Sequence, residues 1–149
     1  MLFRSRVTEA REELRVPGLA APLSHYADAV RAGDLLFVSG MPALDGDGNL
    51  VGPGDVVAQF GQVLANLRAV LDAAGATPAD VVKVTVFLTD VDDRPRINPL
   101  REEFFGSARP ASTLVEVSRL PVPGMLVEME AVVQLPGPHG AEGAGRSTS

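Results

Sequence analysis

The sequence predicts a fold that combines helices and strands, α/β in the broad sense and α+β in the strict sense. It has one mixed sheet with two helices on one face. Stretches with a two-residue apolar period alternate with two stretches of helical period, in the order β-β-α-β-α-β-β. The 149 residues are 46% hydrophobic, which suits a single domain with a substantial core. Because strands joined by two helical crossovers place both helices on the same face, the other face is left open. We therefore expect a homo-oligomer that covers it.

The two ends of the chain lack a clear pattern. Residues 1–17 are charged and predict a short arm, and residues 18–135 are predicted to form the domain. Residues 136–149 are rich in Gly and Ser, which predicts a disordered tail. His139 falls in this tail, which argues against a catalytic role for it.

The first half of the domain predicts two strands and a loop. The stretches "HYADAV" (25–30) and "LLFVSG" (35–40) are separated by a turn built on Gly33. The segment 41–55 is rich in turn residues. Its "DGDGN" begins like a calcium loop, but an EF-hand requires Gly and Glu where Leu50 and Val56 stand. We interpret this segment as a turn-rich loop.

A helix is predicted from Asp55 to Ala74. Apolar residues recur there at helical spacing, at Phe60, Val63, Leu64, Leu67, Val70 and Leu71. Asp55 is a suitable N-cap and Gly75 a suitable residue just beyond the C-terminus. A shorter helix is predicted over "PRINPLREEFFG" (95–106), stopping at Gly106.

Three further strands are predicted in the second half. The stretch "VVKVTVFLTDV" (81–91) has one apolar face, made of Val82, Val84, Val86 and Leu88. The stretches 109–121 and "MLVEMEAVVQL" (125–135) close the sheet. On the last strand Glu128 and Glu130 point to the same face, opposite the apolar residues. Since carboxylates on a central strand are costly unless paired, hydrated or used, we expect an ion pair with an arginine or a functional role.

The composition excludes several classes of function. The net charge is −6, Lys83 is the only lysine, and the arginines are scattered, so nucleic acid is not an expected partner. There are no cysteines and only two histidines, which excludes a thiol nucleophile and argues against a metal site. The chain has neither an apolar run of membrane-spanning length nor a signal peptide, which predicts a cytoplasmic protein.

Four stretches in this order give a family resemblance: "SHYADAVRAGDLLFVSG", "VLDAAGATPADVVKVTVFLTDVDD", "INPLREEFFG" and "RPASTLVEVSRLP…VEMEAV". From about Pro22 to Leu135 the chain resembles the RidA (reactive intermediate deaminase, YjgF-type) family. The resemblance implies a chorismate-mutase-like fold and a homotrimer with a barrel core and three ligand clefts between subunits. It implies hydrolysis of small enamines and imines to 2-oxo acids, with no metal or organic cofactor.

The resemblance also implies site residues. Glu128 matches the glutamate that holds the attacking water, and Tyr26 matches the tyrosine of the pocket. Ser39 and Gly40 match a Ser-Gly pair, and Asn98 matches an asparagine of the second helix. We therefore expect Glu128 and Tyr26 to be catalytic and the other three to bind substrate.

The chain departs from the family pattern at two points. Deaminating members read P-A-R-S-C, where the arginine binds the substrate carboxylate, whereas this chain has Ser112 at the arginine position. One hydroxyl cannot supply the fork of charged hydrogen bonds of a guanidinium, which argues against the usual 2-aminoacrylate deamination. His25 stands where the family often has proline, and on a strand it would point away from Tyr26.

Three ways to compensate for the missing arginine remain open. Arg101 on the second helix could reach the cleft, or Arg119 could do so from the end of its strand. Alternatively, Ser112 and Thr113, followed by Leu114, bind a ligand that carries no carboxylate. The sequence thus leaves two functions open: a hydrolase or deaminase acting on imines or enamines, and a trimer that binds a small metabolite without chemistry.

Overall fold

The computed structural model describes residues 10–137, which form one mixed six-stranded sheet and two α-helices. The elements in chain order are β1 (Arg11–Leu14), β2 (Ala29–Ala32), β3 (Leu35–Met41), α1 (Val56–Ala74), β4 (Val81–Leu88), α2 (Arg94–Phe105), β5 (Ala111–Glu116) and β6 (Val127–Gln134). The strand order is β1-β2-β3-β6-β4-β5, and only the β4–β5 pair is parallel. The predicted fold class is confirmed. The tail from residue 138 onward, with His139, lies outside the described residues.

The strand β1 lies inside the segment that the sequence predicts as an arm. It pairs antiparallel with β2, and its Leu14 lies opposite Ala29 and is buried. Three of its four residues are charged, as is common in the edge strands of sheets. Such a strand shows no apolar alternation, which is why the pattern did not reveal it.

Helix α1 begins and ends as predicted. The Asp55 carboxylate accepts hydrogen bonds from the backbone N–H groups of Val57 and Ala58, and Gly75 closes the helix in the left-handed region with φ 71°. The apolar stripe of the helix packs against the core face of the sheet, on β3 and β6. Helix α2 contacts α1 and lies over the same face, and it ends before Gly106 as predicted.

The two faces of the sheet differ in burial. Val84, Val86 and Leu88 of β4 are fully buried under the helices, as predicted. Val82 does not belong with them: it is 45% exposed, and Val81 is buried in its place. The register shifts between Val81 and Lys83, because a bulge there changes which side chain faces the core.

The opposite face, here called the open face, carries exposed apolar side chains. Phe37 on β3 is 46% exposed and Val115 on β5 is 37% exposed. Glu128 and Glu130 also lie on this face, because they alternate with the buried Val127, Met129 and Ala131.

Two other sequence predictions are modified. The strand predicted over residues 25–30 begins only at Ala29, so His25 and Tyr26 lie in the irregular segment before β2. In the loop of residues 41–55, the Asp45 carboxylate accepts hydrogen bonds from the N–H groups of Asp47 and Asn49, which fits a turn. Within residues 10–137 there is no cluster of metal-ligating side chains and no helix long and apolar enough to cross a membrane.

Candidate functional site

One group of predicted site residues surrounds a cavity of about 280 Å³, here called the Glu128 pocket. It lies where the segment before β2 and the turn before β6 meet the C-terminal end of β3. Its lining consists of Leu23, Ser24, Tyr26, Ser39, Gly40, Pro42, Pro121, Met125 and Glu128. Four residues predicted from the sequence, Tyr26, Ser39, Gly40 and Glu128, therefore share one cavity.

Gly40 makes room for the carboxylate of Glu128. A Cβ atom at Gly40 would overlap the Glu128 Oε1 atom and lie 2.8 Å from its carboxyl carbon. Gly40 lies in the irregular part of β3, where the pairing with β6 shifts between Val38 and Met41. This bulge and the absence of a side chain let the carboxylate lie against the backbone of β3.

The pKa of Glu128 is raised above its ordinary value. The main cause is burial, which removes water from the charged form, and the nearby charge of Glu130 raises the pKa further. Glu130 itself is exposed and makes no ion pair within residues 10–137. A half-buried carboxyl group with a raised pKa in a cavity is suited to accept a proton from water and return it.

Of the three hydroxyl groups that line the Glu128 pocket, those of Tyr26 and Ser39 differ in their hydrogen bonds. The Tyr26 hydroxyl oxygen accepts a hydrogen bond of 3.0 Å from the Leu23 N–H, which leaves its own proton available to a ligand. The Ser39 hydroxyl donates to the Ala27 carbonyl at 2.6 Å, and the Ser39 N–H donates to the Asp28 carbonyl. Ser39 thereby fixes the segment that carries Tyr26.

Two buried polar residues of α1 hold the walls of the Glu128 pocket, and neither is among the residues predicted for the site. The Gln59 side chain donates to the Gly124 carbonyl and accepts from the Leu126 N–H at 2.7 Å, at the entrance to β6. The Asn66 side chain donates to the carbonyls of Pro42 and Leu44. The available signal was that both residues lie on the apolar stripe of the helix, seven positions apart.

The second group of predicted residues surrounds a cavity of about 440 Å³, here called the Arg101 pocket. It lies between α2 and the edge strand β5. Its lining consists of Arg94, Asn98, Arg101, Glu102, Phe105, Gly106, Ala108, Arg109, Pro110, Ser112 and Leu114. Asn98, Arg101, Ser112 and Leu114 were predicted from the sequence.

The Arg101 side chain reaches from α2 to Ser112 on β5. Its Nη2 atom donates a hydrogen bond of 2.9 Å to the Ser112 hydroxyl. Burial lowers the pKa of Arg101, because the half-buried guanidinium has lost part of its water. One turn earlier on α2, Asn98 donates to the Glu102 carboxylate at 3.1 Å.

The hydroxyl groups of Ser112 and Thr113 lie on opposite faces of β5. Ser112 is in register with the buried Val84 and faces α2, whereas Thr113 is in register with Thr85 and accepts a hydrogen bond of 2.8 Å from Lys83 on the open face. The structure therefore does not bring Thr113 into the Arg101 pocket.

Two other candidates lie outside both pockets. Arg119 is exposed beyond the end of β5, and His25 is exposed in the segment before β2. Neither side chain lines the Glu128 pocket or the Arg101 pocket.

The predicted site is thus divided between two places in one chain. The carboxylate of Glu128 lies on the open face of the sheet, and Ser112 lies on the core face, at the edge of the sheet. The two pockets have no lining residue in common.

Comparisons with known proteins agree with this architecture. The family model described as Endoribonuclease L-PSP matches residues 18–135. A RutC family protein of Pyrococcus abyssi is 39% identical over 123 residues, covering 83% of this chain and 96% of that relative. A 2-iminobutanoate/2-iminopropanoate deaminase of Dermatophagoides farinae is 34% identical over 120 residues, covering 80% of this chain and 93% of that relative.

A solved structure shows the same fold. The crystal structure of the YjgF gene product of E. coli has a TM-score of 0.76 and 32% sequence identity, covering 84% of this chain and 99% of that one. The match of the family model over most of the chain, together with these relatives, shows that the chain belongs to the YjgF/RidA/RutC family.

Proposed function

We propose that the chain is a deaminase that hydrolyses small imines or enamines, and that it works as a homotrimer. The observation that carries this proposal is the Glu128 carboxyl group, which is half-buried, has a raised pKa and lies in a cavity beside Tyr26. The name of the Dermatophagoides farinae relative, an imine deaminase, supports the substrate class.

The reaction needs one water molecule and one proton shuttle. The Glu128 carboxylate takes a proton from water as the water oxygen bonds to the imine carbon. The carboxyl group then returns this proton to the nitrogen of the tetrahedral adduct. The Glu128 carboxylate next takes the remaining proton of the hydroxyl oxygen and passes it to the nitrogen, so the C–N bond breaks, ammonia leaves with both protons of the water, and the carbonyl of the 2-oxo acid forms. Because water and a carboxyl group suffice, the proposed reaction uses neither a metal nor an organic cofactor.

A trimer accounts for two features of the isolated chain. The open face carries exposed apolar residues such as Phe37 and Val115, and closing three such faces into a central barrel would bury them. The two pockets lie apart on one chain, and a complete cleft requires the Glu128 pocket of one subunit beside the Arg101 pocket of the next. Each cleft would then hold a proton shuttle on one side and guanidinium groups on the other.

A trimer that binds a small metabolite without chemistry is the alternative function. Two observations favour it. Ser112 stands at the position of the family's arginine, and the Ser39 hydroxyl already donates its hydrogen bond to the Ala27 carbonyl. Ribonuclease activity, suggested by the description of the family model, is opposed by the net charge of −6 and the single lysine.

A coupled assay tests the proposed reaction. A pyridoxal-phosphate enzyme generates 2-aminoacrylate in situ, and the release of the 2-oxo acid is followed with and without the protein. We expect the protein to accelerate release and Glu128→Gln to remove about 100-fold or more of this acceleration. Release that does not respond to the wild-type protein, while the protein still binds the 2-oxo acid, would establish the binding alternative.

Glu130→Gln is the matched control, since Glu130 lies on the same face of β6 two residues away. We expect this variant to remain active. Its removal of a neighbouring negative charge should move the acid limb of the kcat/KM profile to lower pH, because Glu130 raises the pKa of Glu128. Equal loss of activity in Glu128→Gln and Glu130→Gln would contradict a specific proton shuttle at Glu128.

A further inference from the structure

We propose that Arg101, positioned by Ser112, is the group that binds the carboxylate of the substrate. This inference rests on the proposed function, because it assigns the substrate-binding half of the same cleft. In this proposal the cation of the cleft is supplied by helix α2 and not by strand β5. Ser112, which stands at the position of the family's arginine, supports the guanidinium of Arg101.

The geometry places a guanidinium at the required point. The Ser112 hydroxyl accepts one hydrogen bond of 2.9 Å from Arg101 Nη2. A guanidinium has five N–H donors in a planar fork, so this bond leaves others for the two oxygens of a carboxylate. Ser112 faces α2 because its register with Val84 puts it on the core face of the sheet. A small residue is needed there, since a long side chain would occupy the space that Arg101 now fills.

The charges of the Arg101 pocket favour an anion. Three arginines, Arg94, Arg101 and Arg109, line it together with one carboxylate, Glu102. The Glu102 carboxylate accepts a hydrogen bond from Asn98, and no ion pair to Arg101 occurs in the described part of the chain. Among residues 10–137 the hydrogen-bond partner of this half-buried guanidinium is the neutral Ser112 hydroxyl, so its charge is incompletely compensated, and a bound carboxylate would compensate it.

The alternatives for this role are less well placed. Arg119 is exposed and lines neither pocket. A ligand without a carboxylate, held by Ser112 and Thr113 together, would require two hydroxyl groups that lie on opposite faces of β5. Phe105 and Leu114 form an apolar part of the same pocket. The pocket therefore fits a small 2-imino or 2-oxo acid with a short aliphatic side chain.

Binding of a stable product analogue tests the role of Arg101 without chemistry. Isothermal titration calorimetry would compare 2-oxobutanoate with the uncharged butanone of similar shape. We expect the wild-type protein to bind 2-oxobutanoate and Arg101→Gln to bind it about tenfold to a hundredfold more weakly, the loss expected for charge-assisted hydrogen bonds. Weak binding of butanone should be the same in both proteins.

Arg96→Gln is the control for loss of a positive charge from the same helix. Arg96 pairs with Asp93 at 3.3 Å and does not line the Arg101 pocket. We therefore expect the Arg96→Gln variant to bind 2-oxobutanoate with an affinity within about twofold of wild type. Should Arg101→Gln not fold, Arg101→Lys keeps the charge but loses the planar fork, and we expect severalfold weaker binding.

A rescue experiment separates this role from a structural one. The double variant Arg101→Gln with Ser112→Arg returns the cation to the strand, as in the family pattern. We expect it to recover most of the affinity that Arg101→Gln loses, and in turnover assays to recover KM with little change in kcat. If Arg101 had only a structural role, an arginine on β5 would not restore the affinity for 2-oxobutanoate. Failure of the double variant to recover this affinity would overturn the proposal.

The outcomes also separate this proposal from the deaminase proposal. Binding of 2-oxobutanoate that depends on Arg101, in a protein without turnover, would support the carboxylate site and contradict the deaminase. Turnover with a KM that Arg101→Gln leaves unchanged would overturn the carboxylate site and leave the deaminase standing. A wild-type protein that binds butanone and not 2-oxobutanoate would also overturn the carboxylate site.

Discussion

The Glu128 pocket and the Arg101 pocket are built in different ways. The Glu128 pocket depends on backbone: a bulge in β3, a glycine at its centre and loop carbonyls held by side chains of α1. The Arg101 pocket depends on side chains projecting from α2 toward an edge strand. A reacting carboxyl group needs a fixed position, whereas a cation can be supplied from more than one element at the same point. If the proposed cleft is correct, this difference would allow helix α2 to supply its guanidinium while β5 carries Ser112.

Mixed trimers give the sharpest test of the division between the pockets. Glu128→Gln and Arg101→Gln subunits are mixed, dissociated and reassembled. If each cleft combines pockets of two subunits, random assortment leaves about one quarter of the clefts intact and restores about that share of activity. If both pockets served one site within a chain, no cleft would be intact, and the mixture would be as inactive as its components.

Gly40→Ala tests the backbone character of the Glu128 pocket. The added methyl group would overlap the Glu128 carboxylate, and the flexible side chain would move away from its position. We expect kcat to fall about tenfold or more, as for a displaced catalytic group, with a smaller effect on KM for an imine substrate. Thermal unfolding should change little, because the overlapping atoms are the far end of a side chain. A variant with wild-type kcat would show that this position of Glu128 is unnecessary.

The stability of the protein should depend on pH through Glu128. Burial raises its pKa in the folded state, so the folded protein binds the proton more tightly than the unfolded chain. The stabilising contribution of this group is present at low pH and is lost as the pH rises through the raised pKa. Relative to wild type, Glu128→Gln should therefore gain stability as the pH rises from the ordinary pKa of a glutamate through the raised pKa of Glu128. Denaturant unfolding across this range measures it, and a relative loss would contradict the sign of the pKa shift.

Thr113→Val should have the smallest effect. Thr113 accepts a hydrogen bond from Lys83 on the open face, away from the Arg101 pocket. We expect Ser112→Ala to weaken 2-oxobutanoate binding severalfold, because Arg101 loses its support, and Thr113→Val to leave the affinity about unchanged. A stronger effect of Thr113→Val than of Ser112→Ala would show that the open face contributes to ligand binding.

The sequence predicted most of the fold because apolar periodicity and helix caps are local signals. Asp55 and Gly75 mark both ends of α1, and Glu128 with Glu130 were placed correctly on one face of β6. It failed at β1, whose charged residues hide a strand that only pairing with β2 stabilises. It also failed at Val82, because a bulge moves the register without leaving a mark in the pattern.

The site was less predictable than the fold. The residues were identified one by one through the family resemblance, but their separation into two pockets depends on strand register and on which helix covers which face. Adjacent Ser112 and Thr113 looked like a pair of donors, and the alternation of β5 sends them to opposite faces. The sequence offers Arg101 as one of three options, and its hydrogen bond with Ser112 depends on how α2 packs beside β5.

The Gln59 side chain has a consequence for how the molecule opens. Its side-chain oxygen accepts a hydrogen bond from the N–H of Leu126, which lies just before the start of β6. The Gln59 side chain is fully buried between α1 and the sheet. The Leu126 amide should exchange its hydrogen with solvent as slowly as the amides within β6, since releasing it requires α1 to leave the sheet. The turn leading to Glu128 would then belong to the last part of the molecule to unfold, although it is neither helix nor strand.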